Sequence, residues 1–199
     1  LEDGGARITG YDGMDTELTV PTELNGHPVR EIGEEAFYGC NNLTSVTLSE
    51  GLVSIGTNPF TRCSSLTKIN VSPDHPVFAQ IDGVLYEKTT KTLVCYPAGK
   101  AGDSFAVPDG ILAIGDYAFY FCEALTTITL PESLTSIGDD AFSFCYSLTT
   151  ITLPESLTSI GDFAFSGCSS LTTITLPESL TSIGDHAFSG CSSLTTVML

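Results

Sequence analysis

The sequence predicts an α/β repeat fold: a right-handed solenoid with a parallel β-sheet on one face, short helical turns opposite and an inserted β-hairpin. One segment is repeated almost unchanged over residues 131–153, 154–176 and 177–199, a period of 23 residues. Within one copy the apolar residues fit neither a continuous helix nor a continuous strand. Such a pattern is typical of a coil with corners.

Each copy is predicted to add one short strand to the sheet. Residues 173–176 alternate polar and apolar side chains and are rich in β-branched residues, so Ile174 and Leu176 should point inward. Pro177 ends the strand because it has no amide hydrogen to donate to the next rung. Equivalent segments predict eight strands of one sheet, near residues 17–20, 45–48, 68–71, 104–107, 127–130, 150–153, 173–176 and 196–199.

A short helical turn is predicted on the opposite face of each copy. Gly184 suits a tight corner, and Asp185 is a good N-cap for a turn over residues 187–189.

The rest of the chain is assigned by comparison with this repeat. Asp82-Gly83 lies between two strand-like segments and predicts a hairpin turn. We predict one solenoid domain over residues 1–199, because no repeat could bury a core of its own. It comprises an N-terminal cap (1–20), two repeats (21–71), a hairpin insertion that rejoins the sheet (72–107) and four regular repeats (108–199).

The charge of the chain excludes some classes of partner. The net charge is −17, and residues 101–199 contain eleven acidic residues and no Lys or Arg. Nucleic acids and anionic membrane surfaces would be repelled, so neither is predicted as a partner. No apolar run is long enough for a spanning helix, and membrane insertion is not predicted. The acidity favours solubility, with weak calcium binding at corners such as Asp139 and Asp140 as an alternative.

The start of the chain has neither an initiator Met nor a signal peptide. Because Leu1 begins abruptly, we expect a mature or engineered fragment of a longer protein.

The cysteines predict a buried apolar column rather than a metal or redox centre. Equivalent side chains of stacked repeats point the same way, which disfavours disulfides, and no Cys-x-x-Cys spacing or histidine cluster predicts zinc. No catalytic motif is present, so neither an enzyme nor a cofactor is predicted. Six of the seven cysteines share one repeat position: Cys40, Cys63, Cys122, Cys145, Cys168 and Cys191.

The repeat signature resembles that of a known family. Leu-x-x-Ile-x-Leu-Pro-x-x-Leu-x-x-Ile-Gly-x-x-Ala-Phe-x-x-Cys is similar to the BspA-type leucine-rich repeats of bacterial surface proteins. The resemblance covers nearly the whole chain, including Asp82-Gly83-Val84-Leu85-Tyr86 in the insertion. It implies a secreted or surface-anchored module of a host-associated bacterium, and in some members adhesion to host matrix proteins or other bacteria. It implies no catalytic residues.

Two surfaces are candidate binding sites. The outward side of the predicted sheet displays a threonine face, which suits exposed strands but could also order water or contact a protein or glycan. Its members are Thr127, Thr129, Thr150, Thr152, Thr173 and Thr175. The second candidate is a group of aromatic residues at the positions that vary between copies, together with Tyr120 beside them. These rings could form a contact site or tuck partly into the core. Its members are Tyr117, Tyr120, Phe121, Phe144, Tyr146 and Phe163.

The predicted function is therefore non-enzymatic. We expect an extracellular leucine-rich-repeat module of a bacterial surface protein that binds host proteins or glycans. A structural stalk is the main alternative, and a water-ordering threonine lattice, as in ice-binding solenoids, is a further one. End-to-end self-association is also expected, because the last rung at Leu199 would expose an open sheet edge.

Overall fold

The computed structural model describes residue 1 and residues 4–198. The chain divides into two compact units, one of residues 1–89 with 95–100 and one of residues 90–94 with the chain from 101 on. In each unit the chain coils as a β-solenoid, and successive turns add strands to parallel sheets. The single domain expected over residues 1–199 stays a prediction.

The first unit contains two sets of parallel strands. β2 pairs with β5 and β5 with β7, while β1 pairs with β4 and β4 with β6. Asn25 and Gly26 form the turn that joins β3 to β4, with φ of 54° and 81° as a type I′ turn requires. The strands are β1 (Ala6–Ile8), β2 (Glu17–Thr19), β3 (Glu23–Leu24), β4 (His27–Ile32), β5 (Ser45–Thr47), β6 (Ser54–Ile55), β7 (Lys68–Asn70), β8 (Phe78–Ile81) and β9 (Val84–Glu87).

The predicted hairpin in the insertion is confirmed by the antiparallel pairing of β8 with β9. Asp82 and Gly83 form its turn with φ of 51° and 79°. Ile69 of β7 donates its amide hydrogen to the carbonyl oxygen of Gly83 at 2.8 Å. The tip of the hairpin therefore lies against the last strand of the β2–β5–β7 sheet.

The second unit repeats one pattern with little variation. Its two sheets have the orders β11–β13–β15–β17–β19 and, on the Ser-Ile side, β10–β12–β14–β16–β18. Partners lie 23 residues apart from β11 to β19 and from β12 to β18, as in Thr127↔Thr150 and Ser136↔Ser159, whereas β10 and β12 pair at a separation of 21 residues, as in Thr92↔Ala113. The strands are β10 (Thr92–Cys95), β11 (Ser104–Ala106), β12 (Ala113–Ile114), β13 (Thr127–Thr129), β14 (Ser136–Ile137), β15 (Thr150–Thr152), β16 (Ser159–Ile160), β17 (Thr173–Thr175), β18 (Ser182–Ile183) and β19 (Thr196–Met198).

All eight predicted strand positions are confirmed, but the prediction that they form one sheet is wrong. They are divided into a three-stranded sheet and a five-stranded sheet. The hydrogen bond from β7 to the hairpin explains this division. The edge amide of Ile69 in β7 already donates to Gly83, so it does not donate to a further strand of the same sheet. Ile174 and Leu176 are buried, as expected for inward positions.

The predicted helical turns are wrong, since the described part of the chain contains no helix. At the Ala-Phe corner, amides alternate between two kinds of acceptor. Ala118 and Tyr120 donate to carbonyls three residues earlier, whereas Tyr117, Phe119 and Phe121 donate to the next solenoid turn at 2.8–3.1 Å. An α-helix cannot form, because every second backbone amide donates its hydrogen bond to the next solenoid turn rather than within its own turn.

The predicted N-cap role of Asp185 is therefore also replaced by a contact between turns. The amide of Asp185 donates to the Oδ1 atom of Asp162 at 2.6 Å, and Asp139 accepts from Asp162 at 2.8 Å. Each aspartate thus fixes the backbone of the turn that follows it.

The core of the second unit is a column of rings and thiols. Phe119, Phe142 and Phe165 are fully buried and stack at centroid distances of 5.0 Å. The thiol of Cys145 donates to the carbonyl oxygen of Phe119 at 3.1 Å, and the thiol of Cys168 makes the same bond to Phe142. All seven cysteines are free thiols. The repeated cysteine therefore satisfies a buried carbonyl as well as filling space.

Candidate functional site

Two of the positions that vary between copies, those of Tyr117 and Phe121, share one backbone conformation. In each regular copy both residues have a positive φ, for example 55° at Tyr117, 57° at Phe121 and 60° at Phe144. Glycine adopts this left-handed conformation freely, whereas other L-residues are strained in it by about 1–2 kcal/mol. Gly167 and Gly190 hold the second position in the last two copies. Aromatic residues at 121 and 144 therefore oppose the backbone preference.

Five of the six predicted aromatic residues form one continuous cluster, which we call the aromatic ridge. Phe121 and Phe144 stack with ring centroids 4.8 Å apart and an interplanar angle of 27°. Tyr120 meets both rings edge-on, at 4.8 Å and 5.5 Å. The ridge consists of Tyr117, Tyr120, Phe121, Phe144 and Tyr146.

The ridge is only partly buried. Tyr146 is 39% exposed, and the other four rings are half-buried. A Cβ atom on Gly167 would lie 2.8 Å from the ring of Phe144, so this glycine leaves room for the ring that covers it. The sequence left open whether these rings form a contact site or tuck partly into the core. In the structure the rings pack against each other and are still partly exposed.

The sixth aromatic residue lies apart from the ridge. Phe163 is 40% exposed and stacks on His186 at 5.1 Å. Both side chains occupy the first left-handed position of their copies.

Acidic side chains lie beside Tyr117 of the ridge. Burial and then the negative charge and hydrogen bond of Asp140 raise the pKa of Tyr117 to about 12, and Asp116 adds to the effect. Glu123 occupies the same repeat position as Tyr146, one turn earlier. With no Lys or Arg in residues 101–199, the local potential is negative.

The threonine face has the regularity that the sequence predicted. Five of its members are exposed, and Thr173 is half-buried. Thr127, Thr150 and Thr173 follow one another in register across β13, β15 and β17. Its use as a binding surface stays a prediction.

Sequence reasoning missed a cation–aromatic pair in the first unit. The guanidinium of Arg62 lies 5.8 Å from the ring centroid of Tyr38. Tyr38 occupies the repeat position of Tyr120, and Arg62 that of Phe144. Comparison of these two positions over all copies, rather than over the regular ones alone, would have found it.

A shallow groove of about 590 Å³ follows the Ser-Ile-Gly-Asp side of the second unit, from Ala113 to Gly184. Within residues 1 and 4–198, no group of three or more His, Cys, Asp or Glu side chains could hold a metal ion. The same residues include no helix with the length and apolarity needed to cross a membrane. The calcium alternative at Asp139 and Asp140 gains no support.

Comparison with protein families decides the relationship of the chain. Six copies of the BspA type leucine rich repeat region match residues 16–89 and 98–199. The chain belongs to the BspA-type leucine-rich repeat family. This family is generally non-catalytic.

Solved structures agree with this assignment. The pneumococcal vaccine antigen PcpA has a TM-score of 0.80 and 31% identity over 87% of this chain. A leucine rich cell surface protein from Faecalibacterium prausnitzii has a TM-score of 0.60 and 22% identity, covering 98% of this chain and 90% of its own, and shows the fold alone. A leucine-rich repeat protein from Bacteroides capillosus has a TM-score of 0.53 and 28% identity, covering 61% of this chain and 97% of its own.

The chain spans 43% of the PcpA chain. A search of curated proteins found no match.

Proposed function

We propose that this chain is an extracellular module of a bacterial surface protein and that it binds a host protein or glycan through the aromatic ridge. The name of one structural relative, a leucine rich cell surface protein, and the antigen role in the name of another support the location. The module is non-enzymatic and acts by presenting a surface. Its acidic charge disfavours nucleic acid and anionic membranes as partners.

One observation supports the ridge above the rest of the surface. Phe121 and Phe144 hold left-handed positions that glycine occupies in later copies, and their rings remain partly exposed. Strain kept at a surface position is often a sign of function. Partly exposed, clustered aromatic rings are also the residues that most often dominate binding energy at interfaces.

The test is a binding screen against host matrix proteins and mucin-type glycans at physiological salt. The ridge variant is Phe121→Gly/Phe144→Gly, which installs the residue of Gly167 and Gly190. The matched control is Thr150→Lys/Thr173→Lys on the threonine face. Saturable binding that only the ridge variant loses supports the proposal. Binding lost only in the threonine variant moves the site to the sheet, and no binding by a folded chain favours a stalk.

The threonine face supports a second candidate function. Its hydroxyl-bearing side chains repeat in register from β13 to β17, which could order water. A freezing-hysteresis assay at high protein concentration tests this: hysteresis that Thr150→Lys abolishes would support it, and no hysteresis would remove it.

End-to-end self-association stays a prediction. The prediction concerns the strand edge at Leu199, and this residue lies outside the described residues. Sedimentation of the chain over a range of concentrations tests it, and a constant monomer mass would contradict it.

A further inference from the structure

We infer that the aromatic ridge binds arginine side chains of a basic segment on a partner protein. The inference rests on the proposed function and names the chemistry of its partner. Two properties of the ridge support it, the arrangement of its rings and the charge near it. Further support comes from an arginine–tyrosine pair at the equivalent positions of the first unit and from the poorer fit of other ligands.

The orientation of the rings suits a planar cation. Phe121 and Phe144 lie nearly parallel, while Tyr146 stands at 81° to Phe121 and Tyr120 at 81° to Phe144. The ridge thus combines stacked rings with rings that stand edge-on to them, and Tyr146 is 39% exposed. A guanidinium prefers the face of an aromatic ring, where the quadrupole is negative, and it can stack there in parallel.

The charge around the ridge is of one sign. Asp116 and Asp140 lie near the Tyr117 hydroxyl, where both contribute to its raised pKa. Glu123 stands one turn before Tyr146 at the same repeat position. A cation that approaches residues 101–199 meets acidic side chains and no fixed positive charge in that segment. The ridge thus offers arginine both aromatic rings and a negative potential.

The chain contains its own example of the contact. In the first unit Arg62 replaces Phe144 at the equivalent position, and its guanidinium lies 5.8 Å from the Tyr38 ring. In the second unit Phe144 lies 5.5 Å from the equivalent Tyr120. The corner geometry of this repeat therefore accommodates a guanidinium beside the tyrosine. In the second unit both positions are aromatic, so a guanidinium at the ridge would be supplied by a partner.

The alternatives fit less well. A neutral sugar would gain from stacking but nothing from the surrounding carboxylates, and a sialylated glycan would be repelled. A purely apolar peptide would leave Asp140 and Glu123 near its edge with no opposite charge. Arginine uses both features of the surface.

The experiment measures binding of the whole chain to an unstructured Gly-Ser peptide that contains several arginines. The same peptide with citrulline in place of arginine keeps the shape and removes the charge. Phe121→Gly/Phe144→Gly removes the stacked rings, and Asp140→Asn/Glu123→Gln removes the flanking charges. Glu155→Gln/Glu178→Gln is the matched charge control, because both glutamates are exposed on the Pro-Glu-Ser turn of their copies, at a repeat position outside the ridge. A neutral mucin-type oligosaccharide is titrated in parallel.

We expect saturable binding of the arginine peptide that weakens as salt is raised and is absent with citrulline. The ridge variant should bind about ten-fold more weakly, and the Asp140→Asn/Glu123→Gln variant should also bind more weakly than Glu155→Gln/Glu178→Gln. Equal binding by the ridge variant and the unmodified chain would overturn the inference, because it would show attraction to net charge alone. Binding of the oligosaccharide without the peptide would overturn it in favour of a glycan.

The outcome separates the inference from the proposed function. If the ridge variant loses a partner in the matrix-protein screen while the arginine peptide never binds, the ridge is a binding site and only the arginine assignment is wrong. If neither is bound by the folded chain, both are wrong.

Discussion

Two phenylalanines that lie two residues apart should lose very different amounts of stability on truncation. Phe142 is fully buried and stacks on Phe119 and Phe165, whereas Phe144 is half-buried and has a φ of 60°. We compare Phe142→Ala with Phe144→Gly. The first empties a core site, and the second restores the residue that suits the backbone.

The magnitudes follow from these environments. Phe142→Ala leaves a cavity between two rings and should cost about 4 kcal/mol of unfolding free energy. Phe144→Gly loses roughly 1 kcal/mol of apolar burial, about 1 kcal/mol of ring stacking and a further ~0.5–1 kcal/mol through the greater freedom of the unfolded chain. It regains about 1–2 kcal/mol of backbone strain. The net cost should be about 1 kcal/mol.

Thermal unfolding followed by circular dichroism measures the difference. For a chain of this size 1 kcal/mol corresponds to about 2–4 °C, so Tm should fall by about 8–16 °C for Phe142→Ala and about 2–4 °C for Phe144→Gly. An equal loss in both variants would refute the reasoning. It would show that Phe144 is a core residue and that the ridge is structural.

Three further predictions concern the solenoid itself. Gly161→Ala should unfold at a markedly lower temperature, since a Cβ there would lie 2.6 Å from the backbone nitrogen of Asp139, whereas Gly10→Ala meets nothing within 4 Å and should be neutral. Burial raises the pKa of Cys145 to about 12, and a backbone hydrogen bond lowers it by a smaller amount. Because the folded state therefore binds the thiol proton more tightly than the unfolded state, the unfolding free energy measured in urea should fall as pH rises from about 9 toward 12. A flat profile there would contradict this. Added NaCl should raise Tm, because residues 101–199 contain eleven acids and no Lys or Arg, and a Tm that falls with salt would show that repulsion is unimportant.

The strands were predictable because their signal is local. Alternating Thr and Ile side chains before a proline identify Thr127–Thr129 and its equivalents, and the strict period fixes their register. The division into two sheets was not predictable in the same way. It depends on a bond between Ile69 and the tip of a hairpin, which no property of β7 itself indicates.

The corner was misjudged because positive φ is seldom visible in sequence. Asp185 followed by a short apolar group is typical of a helix start, yet the amides of this corner bond to the next turn. One signal was present: Gly167 and Gly190 occupy the position of Phe121 and Phe144. A column that tolerates both glycine and phenylalanine indicates a left-handed, outward-facing site.

The candidate site was predictable as a set of positions but not as a geometry. Variation between copies indicated the aromatic residues, and ring contacts then divided them into the ridge and the separate pair of Phe163 with His186. Ring orientation depends on the backbone conformation at the corner, which the sequence did not reveal.

The most direct test of the ridge as the binding surface is hydroxyl-radical footprinting with the strongest binder from the matrix-protein screen. Tyr146 reports on the ridge, and Met198, whose partner in register is Thr175, reports on the sheet side; both are exposed in the free chain. We expect bound partner to slow oxidation of Tyr146 and to leave Met198 unchanged. Protection of Met198 with Tyr146 still oxidised at its free rate would contradict the account.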